Sequence, residues 1–161
     1  MKILLLGKNG QVGWELQRSL APLGELISLD RCSVDGLCGD LSDHEALRET
    51  VKRIKPDVIV NAAAYTAVDN AESDIDLADR INAQATKVLA EEAALLDAWL
   101  IHYSTDYVFS GQWFRPWLEC DPVAPVNHYG ASKLAGERAI NESGCKHLIF
   151  RTSWVYGARG S

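Results

Sequence analysis

Short apolar runs with no polar face, each followed by a segment of helical periodicity, are the feature that most constrains this chain. KILLL (2–6), ELISL (25–29), DVIVNAA (57–63), AWLIHYS (98–104) and HLIFRTSWVYG (147–157) read as five strands. Helical patterns lie between them. Val12, Leu16 and Leu20 recur at fourfold spacing, and Ser42-Asp43-His44-Glu45 has the form of a capping box opening a helix to about residue 54. An alanine- and leucine-rich helix spans about 75–96, and a last one runs from 129 to about 142. Strands apolar on both sides must be covered on both sides. The expected fold is therefore α/β: one doubly wound parallel sheet with helices on both faces, in a single domain over 1–161. The irregular stretch 106–127, with Pro116, Pro122 and Pro125, is too long for a plain connection and is expected to serve a site.

Charge and composition narrow the partners. The net charge is −6, with no basic block and no interleaved aromatic and basic stripe, which argues against a nucleic-acid surface. No apolar run is long enough to span a bilayer, so no membrane partner is expected. The opening MKILLLGKNG has too short an apolar part for a signal peptide and ends in a glycine loop, so it reads as the first strand of a cytoplasmic protein. Cys32, Cys38, Cys120 and Cys145 form no C-x-x-C pair and the histidines are scattered; reduced thiols and no zinc site are expected.

Gly7-x-x-Gly10-x-x-Gly13, with Gln11 and Val12 inside it, joins the first strand to the first helix. Glycine permits both a sharp turn and close approach of a ligand to the backbone. The helix N-terminus beyond offers N–H groups and a positive dipole end to a diphosphate. The spacing departs from G-x-G-x-x-G, yet its place between strand and helix points to a Rossmann-like nucleotide site. Asp30, 17 residues after Gly13, closes the second strand where an acidic side chain accepts hydrogen bonds from the adenosine ribose and favours NADH. Arg31 beside it would instead pair with the 2′-phosphate of NADPH, so both cofactors stay open. Asp40 and Leu41 are candidates for the adenine end; a plain loop aspartate before Ser42 is the alternative. Tyr129 and Lys133, four residues apart, share one helix face.

These motifs, with Asn61-Ala62-Ala63-Ala64, Ser104-Thr105-Asp106-Tyr107-Val108-Phe109 and Tyr129-Gly130-x-Ser132-Lys133-x-x-Gly136-Glu137, resemble the extended short-chain dehydrogenase/reductases. More closely, GKNGQVGWELQ, AAAYTAVDNAE, STDYVF, YGASKLAGE and RTSWVYG resemble the dTDP-4-dehydrorhamnose reductase family, along nearly the whole chain. The resemblance implies NAD(P)H-dependent reduction of the C4 keto group of dTDP-4-dehydro-6-deoxy-L-mannose, for cell-surface polysaccharide. It implies Tyr129 as proton donor, Lys133 as the cation that lowers the phenol pKa and binds the nicotinamide ribose, and Thr105 as a hydroxyl on the substrate oxygen. Ala62, Ala63, Ala64 and Tyr65 would line the cofactor cleft, with Tyr103 and Ser104 beside the nicotinamide. Asp106 and Trp154 would touch the sugar nucleotide, and Asn82 resembles an asparagine of the central helix. Glu15 resembles a residue at a Mg²⁺-linked dimer contact, implying Mg²⁺ and a homodimer for a full-length member. Members of that family continue well past position 161, so the chain is expected to be their cofactor part, with the C-terminal substrate part largely missing.

Two other readings stay open. One is a non-catalytic NADP-binding regulatory subunit of the same superfamily, against which the intact Thr105, Tyr129 and Lys133 speak. The other is an epimerase or dehydratase; dehydratases of the superfamily carry Thr-Asp-Glu where this chain has Thr105-Asp106-Tyr107.

Overall fold

The computed structural model describes residues 1–112 and 114–157. Its centre is a parallel sheet in the order β2-β1-β3-β4-β5, with β1 Lys2–Leu6, β2 Glu25–Leu29, β3 Val58–Asn61, β4 Trp99–Thr105 and β5 Lys146–Thr152. The helices are α1 Gln11–Leu20, α2 His44–Ile54, α3 Ile75–Asp79, α4 Ala85–Leu96 and α5 His128–Ser143. This is the Rossmann-like α/β arrangement that the alternating pattern predicts.

Alternate residues of β1 supply both cores. Leu4 and Leu6 join Leu47 and Val51 of α2, Leu89 of α4 and Ile140 of α5 in one large cluster. Ile3 and Leu5 turn the other way and, with Val60, meet Leu16 and Leu20 of α1. Burying each of these leucines contributes about 2 kcal/mol. That is why a strand with no polar face forms here and is not left at an edge.

The structure departs from the sequence pattern at three places. Asp43, not Ser42, caps α2: its carboxylate accepts the Ala46 N–H at 3.1 Å, while the Ser42 hydroxyl donates to Asp40. The long helix expected over 75–96 is interrupted by a π-helical turn, Arg80–Gln84, between α3 and α4. A π turn carries one extra residue per turn and re-aims side chains; here it buries Asn82. The fifth strand stops at Thr152, not at 157, and Trp154 adopts φ +48°, a left-handed conformation incompatible with a strand. The segment between β2 and α2 holds an isolated bridge between Val34 and Leu37 around left-handed Asp35 and Gly36. The region 106–127 begins with a 3-10 turn, Asp106–Val108, and is then held by Phe109 stacked on Trp117 at 4.5 Å and by the Ala124 N–H on the Val108 carbonyl. No helix among the described residues is long and apolar enough to cross a membrane.

Candidate functional site

The carboxyl ends of all five strands open into one cleft of about 780 Å³. Each strand delivers a residue to it: Gly7 after β1, Asp30 after β2, Ala62 after β3, Thr105 closing β4 and Thr152 closing β5. The chain runs outward from β1 to β2 and then returns past β1 to β3. The cleft therefore lies at the switch point where open α/β sheets gather ligands. From β2 to β4 it crosses three strand spacings, roughly 14 Å at about 4.8 Å each.

At the β1 end the wall is backbone. Gly7 holds φ +86°, and a Cβ there would stand 2.8 Å from the Ala63 nitrogen. A Cβ on Gly13 would stand 2.0 Å from the Gly7 carbonyl oxygen, whereas one on Gly10 would meet that oxygen at an ordinary 3.5 Å. Gly10, Gln11 and Val12 line the cleft; Gly13 does not, and instead lets α1 close onto the loop from behind. Among the described residues no side chain caps α1, so its first-turn N–H groups and positive dipole end are left to a ligand. That combination of a glycine cradle and an open helix end fits a diphosphate.

Further along this rim, one Asp30 oxygen accepts the Asn9 amide and the other accepts the Cys32 N–H at 2.9 Å; Lys8 stands 4.0 Å away. Arg31 also lines the cleft. Asp40 turns its Oδ1 to the Ser42 N–H and hydroxyl, both at 2.8 Å, and Leu41 is buried against the core while touching the cleft. Ala62, Ala63 and Ala64 form the cleft wall after β3. Tyr65 does not: its hydroxyl donates to Asp74 at 3.0 Å, and its backbone is clamped at both N–H and C=O by Asn82. Asn82 also donates to the Ser132 hydroxyl, which donates to the Tyr129 carbonyl at 2.8 Å, so the π turn ties the loop after β3 to α5. A Cβ on Gly136 would stand 2.5 Å from the Asn82 carbonyl oxygen, which is why α5 can lie so close.

At the β4 end the wall is side chain. Asn127 caps α5 by accepting the Gly130 N–H at 2.7 Å, and the helix then presents Tyr129 and Lys133 to the cleft. Tyr103, Ser104, Thr105, Asp106 and Tyr107 line it from β4 and the turn beyond, with the Tyr107 and Tyr129 rings edge to face at 5.7 Å. Trp154 stands at the rim, 85% exposed. Behind this surface a polar network is buried. Ser104 donates to Glu137 at 2.6 Å; Glu137 takes three hydrogen bonds from Arg151 of β5, the shortest 2.7 Å; Arg151 lies over the Phe109 ring. Lys133 donates to the Tyr103 carbonyl at 2.6 Å and faces His102 Nε2 at 3.2 Å.

The electrostatics correct one sequence expectation. Burial pushes the Tyr129 phenol up from its ordinary value, against a hydrogen bond from Thr105 that lowers it, and the charges of Asp106 and Tyr107 push it further up. The Lys133 amine is engaged by the Tyr103 carbonyl and faces His102. Lys133 itself is brought down to about 8 by burial, with Glu137 pulling it upward. Burial, and then the Lys133 charge, hold His102 well below its usual value. The phenol is thus a neutral acid at pH 7.

His102, Glu137 with Arg151, and the Asn9 contact to Asp30 were not singled out by sequence reasoning. A signal existed for His102, a polar residue in the middle of an otherwise apolar strand. Glu15 lies outside the cleft and pairs with Arg18 at 2.5 Å; no group of three His, Cys, Asp or Glu side chains placed to hold a metal occurs among the described residues.

Comparison with known proteins agrees with this geometry. Residues 1–161 match the family described as RmlD substrate binding domain. The chain is 61% identical to a dTDP-4-dehydrorhamnose reductase of Shigella flexneri and 60% identical to that of Escherichia coli K12, each over 100% of this chain and 54% of the relative. The crystal structure of dTDP-4-dehydrorhamnose reductase from Bacillus anthracis in complex with NADP matches with a TM-score of 0.90 at 40% identity, over 100% of this chain and 57% of that one. The chain spans about half the length of the relatives it matches.

Proposed function

The chain belongs to the RmlD substrate-binding-domain family, and from that premise we propose that it is the cofactor-binding part of an NAD(P)H-dependent dTDP-4-dehydrorhamnose reductase. The reaction reduces the C4 keto group of dTDP-4-dehydro-6-deoxy-L-mannose to the alcohol of dTDP-L-rhamnose, in the cytoplasm, for cell-surface polysaccharide. One observation carries this reading. The Tyr129 phenol, the Thr105 hydroxyl and the buried Lys133 amine share a cleft with a glycine cradle at the open end of α1.

The residues present fit a dinucleotide. Gly7, Gly10, Gln11 and Val12 would hold the diphosphate, Asp30 or Arg31 the adenosine ribose, Asp40 and Leu41 the adenine side. Ala62 to Ala64, Tyr103, Ser104 and Lys133 would hold the nicotinamide half. When bound, the reduced nicotinamide supplies hydride to the carbonyl carbon. The chain supplies the rest. Tyr129 gives its proton to the carbonyl oxygen, and a phenol kept neutral by burial is in the form that step needs. The Thr105 hydroxyl would steady the phenolate left behind and hydrogen-bond the sugar oxygen. Asp106 and Trp154, which line the cleft, would touch the sugar nucleotide.

The test has two parts. NADPH and NADH are titrated against the chain itself. Turnover of the keto-sugar nucleotide is then followed by NADPH oxidation in the Shigella flexneri relative with its matching N-terminal part replaced by this chain, with and without Tyr129→Phe. Tyrosine-dependent turnover supports the reductase. Dinucleotide binding with turnover indifferent to Tyr129 would make the chain a binding module instead.

A further inference from the structure

His102 sits at the centre of β4, in register with Asn61 of β3 and fully buried. Its Nδ1 faces the Asn61 amide nitrogen at 3.2 Å and its Nε2 faces the Lys133 amine at 3.2 Å. The Asn61 carbonyl oxygen accepts the Ala63 N–H at 3.2 Å, which fixes which end of the amide meets the ring. Asn61 therefore donates to Nδ1, and a neutral imidazole with one accepting nitrogen must carry its proton on the other. The Nε2–H then points at Lys133, which can receive it only as a neutral amine, because an ammonium has no lone pair.

We propose that His102 and Asn61 form a positioning relay for Lys133, in which charge on the amine is coupled to the tautomer of the imidazole and to the orientation of the Asn61 amide. With a neutral amine the arrangement is the one described above. When one proton enters from solvent, the Nε2 proton crosses to Lys133 and the incoming proton ends on Nδ1. Nε2 is then bare and accepts from the ammonium. Nδ1–H needs an acceptor, so the Asn61 amide turns its oxygen to the ring and gives up the Ala63 N–H. Ala63 lines the cofactor cleft, so the charge state of the lysine reaches the wall against which a dinucleotide would lie. The charged and titratable groups facing Lys133 are Tyr129 and Glu137, one turn to each side on α5, and His102 from β4; Asn61 from β3 is neutral. The ring stays neutral throughout, in keeping with its burial. The relay deepens the reductase reading only in saying what the charge on Lys133 is coupled to; its chemistry stands on the three side chains alone.

The experiment is an NMR titration of the chain from pH 6 to 10, with ¹⁵N-labelled histidine and ¹³Cε-labelled lysine. The expected result is a single midpoint near 8, shared by the Lys133 ¹³Cε shift, an exchange of the His102 ¹⁵N pattern from Nδ1–H at low pH to Nε2–H at high pH, and the Ala63 amide shift. A ring whose ¹⁵N pattern stays fixed while Lys133 titrates would overturn the relay. Asn61→Asp sharpens the test, since a carboxylate can accept from Ala63 and the ring at once. It should pin Nδ1–H at every pH and raise the Lys133 midpoint by about one unit or more. An unmoved midpoint in the folded variant also overturns the relay; should the variant not fold, the wild-type titration decides. No step depends on turnover. Loss of Tyr129-dependent reduction would sink the reductase reading and leave the relay standing, and the converse holds.

Discussion

At the end of the cleft beside β1 and β2, a ligand meets mostly backbone: Gly7 and Gly10, the open first turn of α1 and a rim of Asp30 and Arg31, with Lys8 4.0 Å from Asp30. Beside β4 and α5 it meets side chains locked from behind, with Lys133, His102 and Glu137 each no more than 2% exposed. The first end recognises by shape, and its tolerance is set by whether a single carbon fits. The second works by proton position, and its behaviour is set by what burial does to each ionisable group. Substitutions at the two ends should therefore fail differently: steric loss of binding at one, loss of chemistry with binding retained at the other.

The largest effect expected is from Gly13→Ala. Its Cβ would stand 2.0 Å from a backbone oxygen that no rotamer can move, so α1 must shift as a body. Urea unfolding should show a loss of about 3 kcal/mol or more, at or beyond the upper end for overpacking, and NADPH binding should disappear. Gly10→Ala is the contrast, with its Cβ at 3.5 Å. Unfolding should be nearly unchanged while dinucleotide affinity falls, because the lost space belongs to the ligand. Equal destabilisation by the two would break the assignment of Gly13 to packing and Gly10 to binding. At the other end, Tyr129→Phe should leave NADPH affinity within a few fold and lower turnover of the spliced reductase about 10² to 10⁴-fold, the usual worth of a positioned acid.

The same contrast explains what was legible in the sequence. Glycines must stand where backbone meets backbone or ligand, so Gly7, Gly10 and Gly13 announced the first end, and the double-sided apolar runs announced the sheet. Tyr129 and Lys133 were visible as a pair one helical turn apart. What the amine does was not, because that depends on β4: the Tyr103 carbonyl and His102 claim Lys133, and these contacts come from strand register rather than local spacing. Tyr65 misled for a similar reason. It follows three residues that do line the cleft, but Asn82 in the π turn pulls its backbone the other way, and one extra residue in a helical turn leaves no mark on an alanine-rich pattern. Trp154 was placed in a strand that ends two residues earlier, where a left-handed backbone turns it to solvent.

A middle-sized effect concerns the buried amine. A lysine whose folded value, about 8, lies below the ordinary 10.5 binds fewer protons folded than unfolded between those values. Stability contributed through this group therefore rises with pH across that window, and below pH 8 its burial is a standing cost. Measured by urea unfolding, wild type minus Lys133→Met should shift in favour of wild type by on the order of 3 kcal/mol between pH 7 and 10.5. The raised tyrosines occur in both proteins and cancel. Turnover should follow the opposite course, falling as Lys133 loses its charge near 8 while the phenol is still protonated, so the alkaline limb belongs to the lysine. A flat stability difference would mean that Lys133 does not sit at the buried end as described.

The smallest effect separates the two ends most finely, because it lies in charge at the solvent-facing rim. Asp30 is already engaged by Asn9 and by the Cys32 N–H, so only part of its accepting capacity remains for a ribose hydroxyl. Its carboxylate would repel a 2′-phosphate that Arg31 and Lys8 would attract. Asp30→Asn keeps the shape, allows the Asn9 contact through its oxygen and removes the charge. NADH affinity should drop by up to about tenfold, roughly 1.4 kcal/mol, while NADPH affinity holds or improves, with Tyr129-dependent turnover unchanged at saturating cofactor. That outcome would assign NADH recognition to Asp30 and NADPH recognition to Arg31 and Lys8. If instead Asp30→Asn alters turnover at saturation, the ends of the cleft are not separable, and recognition at β2 reaches the proton chemistry at α5 through the bound dinucleotide itself.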